Sequence, residues 1–315
     1  MPDAIELSDE LHRLNAAREL SGFKSEPAQM RAAAPGKIGE LRLGFSLRDG
    51  RSILHDLYRV APLLVQQALY WDEAMPELPI CSIISVGGGI LQGDRYKIDI
   101  TVGEGACAHV TSQGANRVHR MDANYASQHQ TVTLESGAYL EYLPEVTILY
   151  RDARFISRTD IVVAEDATLL YGEMTLAGRK HHHADERFGF DLLSTAVAVR
   201  RPSGRKLFTE KILVGKGDPT VDYPAVMRGY DVFANVLCLT PPPVAARIKE
   251  RFETNFSGEA PRAISGVCRL PNDAGLMLRA VGVETYDVRR EVRRFWRIVR
   301  EEARGRTLPE EFLWR

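Results

Sequence analysis

The chain has no surplus of charge of either sign: 41 Lys and Arg stand against 42 Asp and Glu over 315 residues. Such a surface has no bulk positive field to neutralise phosphates or anionic lipid, so nucleic acid and membrane surfaces are not expected partners. Cysteine is scarce. Cys81, Cys107, Cys238 and Cys268 have neither the density of a disulfide framework nor a CxxC pair that would clamp zinc, and they read as small buried thiols in a reducing cytosol. No long hydrophobic run is present either. The longest apolar stretch, 78–91, is short for a bilayer crossing and is broken by Pro79 and by Gly87, Gly88 and Gly89. Where a secretory signal would need an apolar segment, Met1 to Leu20 carries Asp3, Glu6, Asp9 and Glu10. A cytoplasmic location is the expectation.

What the chain does contain is 44% hydrophobic and 26% charged residues, a balance that buries a sizeable core and keeps a solvated surface. Residues 1–36 read as an N-terminal extension, helical or disordered, with a weak amphipathic helix from about Asp9 to Leu20. From residue 37 the pattern changes to short alternating runs. Leu41 to Leu47 and Ser52-Ile53-Leu54 flank the turn signal Asp49-Gly50, which predicts a hairpin.

A weak internal repeat follows, in which a strand, a turn, an alanine and a second strand recur. Its alanines are Ala106, Ala138 and Ala167. Period-two alternation puts Ile98, Ile100 and Val102 on one face, so neighbouring units can bury an apolar layer that no single unit could bury alone. The expected fold is therefore mainly β, a layered, β-helix-like stack of strands over residues 37–240. A second hairpin is predicted around Pro202-Ser203-Gly204. Residues 241–315 read as an α+β segment packed on that body, with a helix from Val244 to Phe252, a strand from Leu276 to Val281 and a final helix from Tyr286 to Ala303. The last helix places Val288, Val292, Phe295, Trp296 and Val299 on one stripe, which must dock on something.

Candidate chemistry is sparse. The run Val86 to Asp94 is glycine-rich, but it matches neither GxxxxGK[ST] nor GxGxxG and leads into a strand, so close backbone packing is the simpler account. His181, His182 and His183, beside Asp185 and Glu186, carry metal-binding donors, yet adjacent side chains cannot converge on one ion. They read as an exposed polar loop or a transient metal contact. His109, His119 and His129 read as structural histidines. Glu173 lies among apolar and small residues, which marks either a partly buried acid or a structural ion pair, and Asp94 and Asp152 carry the same two readings. No nucleophile and base are paired in a local motif, so there is no catalytic residue to name. Arg289, Arg290, Arg293, Arg294, Arg297 and Arg300 give the last helix a cationic surface, either a solvated face or a docking site for an acidic partner. In the second case Val292, Trp296, Arg293 and Arg297 form an anchor with a charged rim.

From Gly39 to Arg315 the order of motifs resembles the UreD (UreH) family of urease accessory proteins. The blocks are Ala61 to Gln66; Gly87-Gly88-Gly89-Ile90-Leu91-Gln92-Gly93-Asp94; Thr111 to Arg120 with Gln113 and Arg117; Leu140 to Glu145 with Pro144; Ala153-Arg154; Glu173; Gly178-Arg179; and Leu313-Trp314-Arg315. Gln92 stands where the family commonly has glycine, Gly114 and Asn116 alter the second block, and the histidine run is longer than usual. The resemblance implies a non-catalytic maturation scaffold that binds the urease apoprotein, UreF and the UreG GTPase, with no firmly bound cofactor and nickel in transit. It also implies an internal polar passage, to which Glu173, Asp94 and Asp152 are assigned as the acids that would relay the ion. Two other readings stand beside it: a β-helix-type enzyme acting on acidic polysaccharide, and a passive interaction module.

Overall fold

Strands form wherever the sequence alternates. Residues 7–25, 37–256 and 261–310 are described by the computed structural model; the Leu313-Trp314-Arg315 motif lies outside the described residues, as does the stretch Ala32 to Gly36. A short helix, α1 (Asp9–Asn15), opens with the Ser8 hydroxyl accepting the Leu11 N–H. The Asp49-Gly50 turn then joins β1 (Ile38–Arg48) to β2 (Arg51–Val60) as the expected antiparallel hairpin. Next come β3 (Leu63–Leu64), β4 (Ile80–Ser85), β5 (Arg95–Val102), β6 (Cys107–Ser112), β7 (Asn116–Val118), β8 (Ala126–Leu134), β9 (Tyr139–Tyr142) and β10 (Thr147–Leu149). They are followed by β11 (Arg154–Val163), β12 (Thr168–Leu176) and the second hairpin, β13 (Leu192–Arg200) with β14 (Lys206–Gly215). The chain ends through β15 (Val232–Leu239), α2 (Pro242–Arg251), β16 (Ala263–Arg269), β17 (Gly275–Gly282) and α3 (Thr285–Arg304).

The strands make two sheets. Seven strands run in the order β14-β13-β11-β8-β5-β1-β2; ten make the other, β16-β17-β15-β12-β9-β6-β4-β3, with β10 and β7 attached beside β12. From β5 to β13 the longer strands alternate between the sheets. β5, β8, β11 and β13 pair in parallel in the first, and β4, β6, β9 and β12 in the second. Each passage through both sheets is one unit of the repeat. Register places Cys107 opposite Tyr139 and Tyr139 opposite Thr168, so Ala106, Ala138 and Ala167 stack one residue earlier, all of them buried. The layered, mainly β expectation holds, with helical elements at the C-terminal end.

Alternation also decides what each face of the second sheet meets. Leu169, Leu237, Leu239 and Met277 point into the core between the sheets, together with Ile98, Ile100 and Val102 of the first sheet. Leu170, Val236, Cys238, Leu276 and Leu278 point outward and are covered by Ala245, Ile248 and Phe252 of α2 and Phe295, Trp296 and Val299 of α3. Burying each large apolar side chain there contributes about 1.5–3 kcal/mol, which is what holds α3 in place. The helix starts at a capping box between Glu284 and Asp287 and stops at Gly305, which adopts its left-handed φ of 63° without strain. On the far face of the first sheet, Leu14 and Leu20 pack against Tyr125, Ile156 and Leu192.

Two expectations change. Cys81, Cys107 and Cys238 are buried, and burial alone pushes the Cys81 thiol up to about 12, but Cys268 is exposed near the end of β16. The arginines of α3 do not form one cationic face. Arg289 bonds Glu145, Arg293 bonds the Pro309 carbonyl, Arg294 bonds Glu291 and the Glu253 carbonyl, and Arg300 is fully buried, so Arg290 and Arg297 are the two of that run that stay exposed.

Candidate functional site

The space between the sheets is filled unevenly. Near the stacked alanines it is closed by Val102, Leu134 and Val163. Toward the opposite strand ends the inward positions turn polar, and a cavity of about 460 Å³ opens, lined by Tyr96, Gln128, Gln130, Tyr142, Tyr171 and Glu173 among others. The sequence produces this by keeping the period of two while exchanging residue type: β8 runs Gln128, Gln130, Val132, Leu134 along its inner face, and β11 runs Ser157, Thr159, Ile161, Val163.

A hydrogen-bonded chain crosses the cavity wall and ends at Glu173. The Tyr142 hydroxyl donates to Gln130 Oε1 (2.5 Å), and Gln130 Nε2 donates to Thr159 Oγ1 (2.9 Å). The Thr159 and Tyr171 hydroxyls lie 2.9 Å apart, and Tyr171 donates to Glu173 Oε1 at 2.6 Å. Burial pushes the Glu173 carboxyl above its ordinary range, and the bond from Tyr171 offsets only part of that. Burial, followed by the Glu173 charge, also pushes the Tyr142 and Tyr171 hydroxyls up, so both remain donors at neutral pH. Among the described residues, no histidine or cysteine lines the cavity. Its side-chain ligand atoms are hydroxyl, amide and carboxylate oxygens and the Met174 sulfur, and hard oxygen donors hold a borderline divalent ion only weakly.

The other acids expected beside a passage are placed elsewhere. Asp94 accepts the Lys37 and Leu91 N–H groups and the Tyr96 hydroxyl, which ties the glycine-rich turn to the start of β1. Asp152 lies on the surface with Lys216 at 2.5 Å and Arg120 at 3.5 Å, and the bond from Lys216 holds its carboxyl below the usual range. Neither is among the residues lining the cavity. Glu173 does not pair with Arg179, which bonds Glu186 and lies over the Tyr150 ring. Gly88, Gly89, Gln113, Arg117 and Pro144 do line the cavity. A Cβ on Gly89 would sit 2.6 Å from the Arg117 carbonyl, so the glycine turn serves close backbone packing, as Gly178 does against Glu186. Gly87 lies in the turn just before Gly89, and Gly93 in a second turn after the Ile90 bridge.

His181, His182 and His183 are exposed, with His181 near Glu284 (3.4 Å) and His183 near Asp185 (2.6 Å). Among the described residues, no group of three or more His, Cys, Asp and Glu side chains is placed to hold a metal. His109, His119 and His129 have structural partners in Glu141, the Gly88 carbonyl and Asp160. Of the residues expected to meet a partner protein, Trp296 is buried against the chain's own sheet and Val292 packs beside it, whereas Arg293 is half-buried and Arg297 is exposed.

Sequence reasoning missed a second polar cluster, on the other face of β9. Arg300 of α3 donates through Nε and Nη2 to both oxygens of Glu141 (2.7 Å each) and through Nη1 to Asp72. Tyr139 and His109 complete the shell of Glu141 at 2.6 and 3.0 Å, and the His109 ring stacks on Trp296. Burial works against the Glu141 charge, yet the Arg300 charge and hydrogen bonds outweigh it and hold the carboxyl far below its usual range. A signal was available: Arg300 follows Trp296 by four residues, about 40° round the helix, which puts it at the edge of the apolar stripe.

Comparison with known proteins identifies the family. The family profile described as "UreD urease accessory protein" matches residues 37–315. The chain is 80% identical over 302 residues, 96% of its length and 97% of the relative's, to "Urease accessory protein UreD 3" of Methylorubrum populi. It is 77% identical to "Urease accessory protein UreD 2" of Methylorubrum extorquens, over 98% of this chain and 99% of that one. To "Urease accessory protein UreD" of Yersinia enterocolitica it is 49% identical, over 95% of this chain and 93% of the other.

Proposed function

We propose, from the premise that the chain belongs to the UreD family of urease accessory proteins, that it is a non-catalytic factor in urease maturation. In this role it binds the urease apoprotein together with UreF and UreG, and nickel is its cargo, delivered in a GTP-dependent step to the urease active site. The supporting observation is the polar cavity between the sheets, with Glu173 as an acid in its wall. A carboxyl whose charge burial disfavours, held by one hydroxyl beside open space, can take up a passing cation and release it again. A tighter ligand set would stop the ion there.

The test is nickel content in urease matured by the complete accessory assembly. Glu173→Ala is expected to lower nickel loading severalfold while capture of the partner proteins stays at the wild-type level. Equal loss of both would mean that the substitution damages the fold, and full loading with intact capture would remove Glu173 from the path.

A further inference from the structure

The interior cavity abuts a second, smaller pocket under α3. Pro144, Glu145, Glu173 and Met174 line both, and on its far side the smaller one is walled by Arg289 and Val292. Their volumes are about 460 and 50 Å³. The water shell of a hexahydrated divalent cation takes about 180 Å³ at about 30 Å³ per molecule. The larger space holds such an ion, and the smaller does not. Arg289 Nη2 bonds Glu145 Oε2 at 2.5 Å in the wall of the small pocket.

We propose that the pocket under α3 is the second mouth of the passage, that the Arg289–Glu145 pair is its latch, and that the species admitted is a hydrated divalent cation. The proposal rests on reading the cavity as a passage. Both latch side chains keep contact with solvent, 32% exposed for Arg289 and 16% for Glu145, so each can be hydrated when the pair parts. The helix itself need not move. Val288 is fully buried at one end, and twelve residues on, about 18 Å along the axis, Arg300 is clamped by two buried carboxylates. Opening therefore amounts to the swing of Arg289 on a fixed helix and of Glu145, between β9 and β10, opposite it. Once released from Arg289, Glu145 becomes the next carboxylate after Glu173 on the shared wall, and it carries the charge needed to draw the cation outward.

The experiment follows nickel(II) transfer to urease apoprotein in the reconstituted accessory complex, with partner capture measured in parallel. Val292→Phe, which fills the small pocket, is expected to slow transfer severalfold with capture unchanged, and Arg289→Gln, which opens the latch, is expected to quicken it. Gln128→Trp, which obstructs the inner cavity, controls for the passage itself. If Gln128→Trp slows transfer and Val292→Phe does not, the passage stands and its exit lies elsewhere, which overturns the latch. If neither slows it, the passage reading falls and takes the latch with it. Slower transfer in Arg289→Gln with intact capture also overturns the proposal. Should Val292→Phe lose partner capture, Val292→Met fills the same pocket more gently and is held to the same outcomes.

Discussion

Strand β9 separates two polar interiors by a single step of its pleat. Tyr139 and Glu141 face α3, whereas Leu140 and Tyr142 face the space between the sheets. On the first side, Glu141 has both oxygens bonded by Arg300 and is further bonded by Tyr139 and His109. On the second, Glu173 accepts from Tyr171 beside an open cavity. Burial pushes both carboxyls upward, yet Glu141 ends far below its usual range and Glu173 above it. The difference is the fixed counter-charge, which one has and the other lacks. A saturated carboxylate serves the architecture, and an under-satisfied one beside free volume is available for exchange.

The largest test of that contrast is Arg300→Met. It strands two buried carboxylates, Glu141 and Asp72, and is expected to cost about 3–5 kcal/mol in denaturant unfolding at pH 7. A loss below about 1 kcal/mol, the scale of an exposed pair, would mean that the cluster is no clamp. The pH dependence has a definite sign. Because the folded Glu141 value is depressed, its contribution is complete above the unfolded value of about 4.3 and is lost as pH falls toward the folded one. Wild type should therefore weaken in acid more steeply than Arg300→Met.

Tyr171→Phe comes next, at about 1–2 kcal/mol, because it removes the hydroxyl that serves both Thr159 and Glu173. Since that bond lowers the Glu173 value, its loss should raise the carboxyl further, which a carbon-13 titration of labelled glutamate would follow. A downward shift would break the network as drawn. Glu173→Gln should act in the opposite direction on stability. With a raised folded value, the charged form is penalised above pH about 4.3, so the neutral amide is expected to gain about 1 kcal/mol at pH 7 and nothing below pH about 4. Destabilisation at pH 7 would show that Glu173 has a counter-charge.

Much of the fold was legible because it is local. The repeat could be aligned on Ala106, Ala138 and Ala167 because each unit reuses the same turn, and the register confirms that alignment. The two hairpins were marked by Asp49-Gly50 and Pro202-Ser203-Gly204, and α3 by its stripe. Glu173 was marked by its apolar neighbours. What local reading cannot reach is a contact between Arg300 and residues 159 and 228 positions away, which exists only once α3 docks on the second sheet. For the same reason Arg300 reads from sequence as one of the surface arginines, and Asp94 as an acid of the passage, although its oxygens are taken by the distant Lys37 N–H and by Leu91 and Tyr96.

The smallest expected effect falls on Asp152, and it sharpens the contrast by lying outside both interiors. Its carboxylate is held by Lys216 and by Arg120 and Arg151 at the surface, where ion pairs are screened and separately weak. Its φ of 60° is one that asparagine adopts as readily as aspartate. Asp152→Asn therefore keeps the backbone and removes the charge, and it should change unfolding free energy by no more than about 0.5 kcal/mol. If the Glu173 cavity is the path, nickel loading should also stay at the wild-type level, because no oxygen of Asp152 reaches the lining. A loss of loading at unchanged stability and capture would place a carboxylate of the ion's route on the outer surface, and the contrast between the two faces of β9 would no longer account for where the cargo goes.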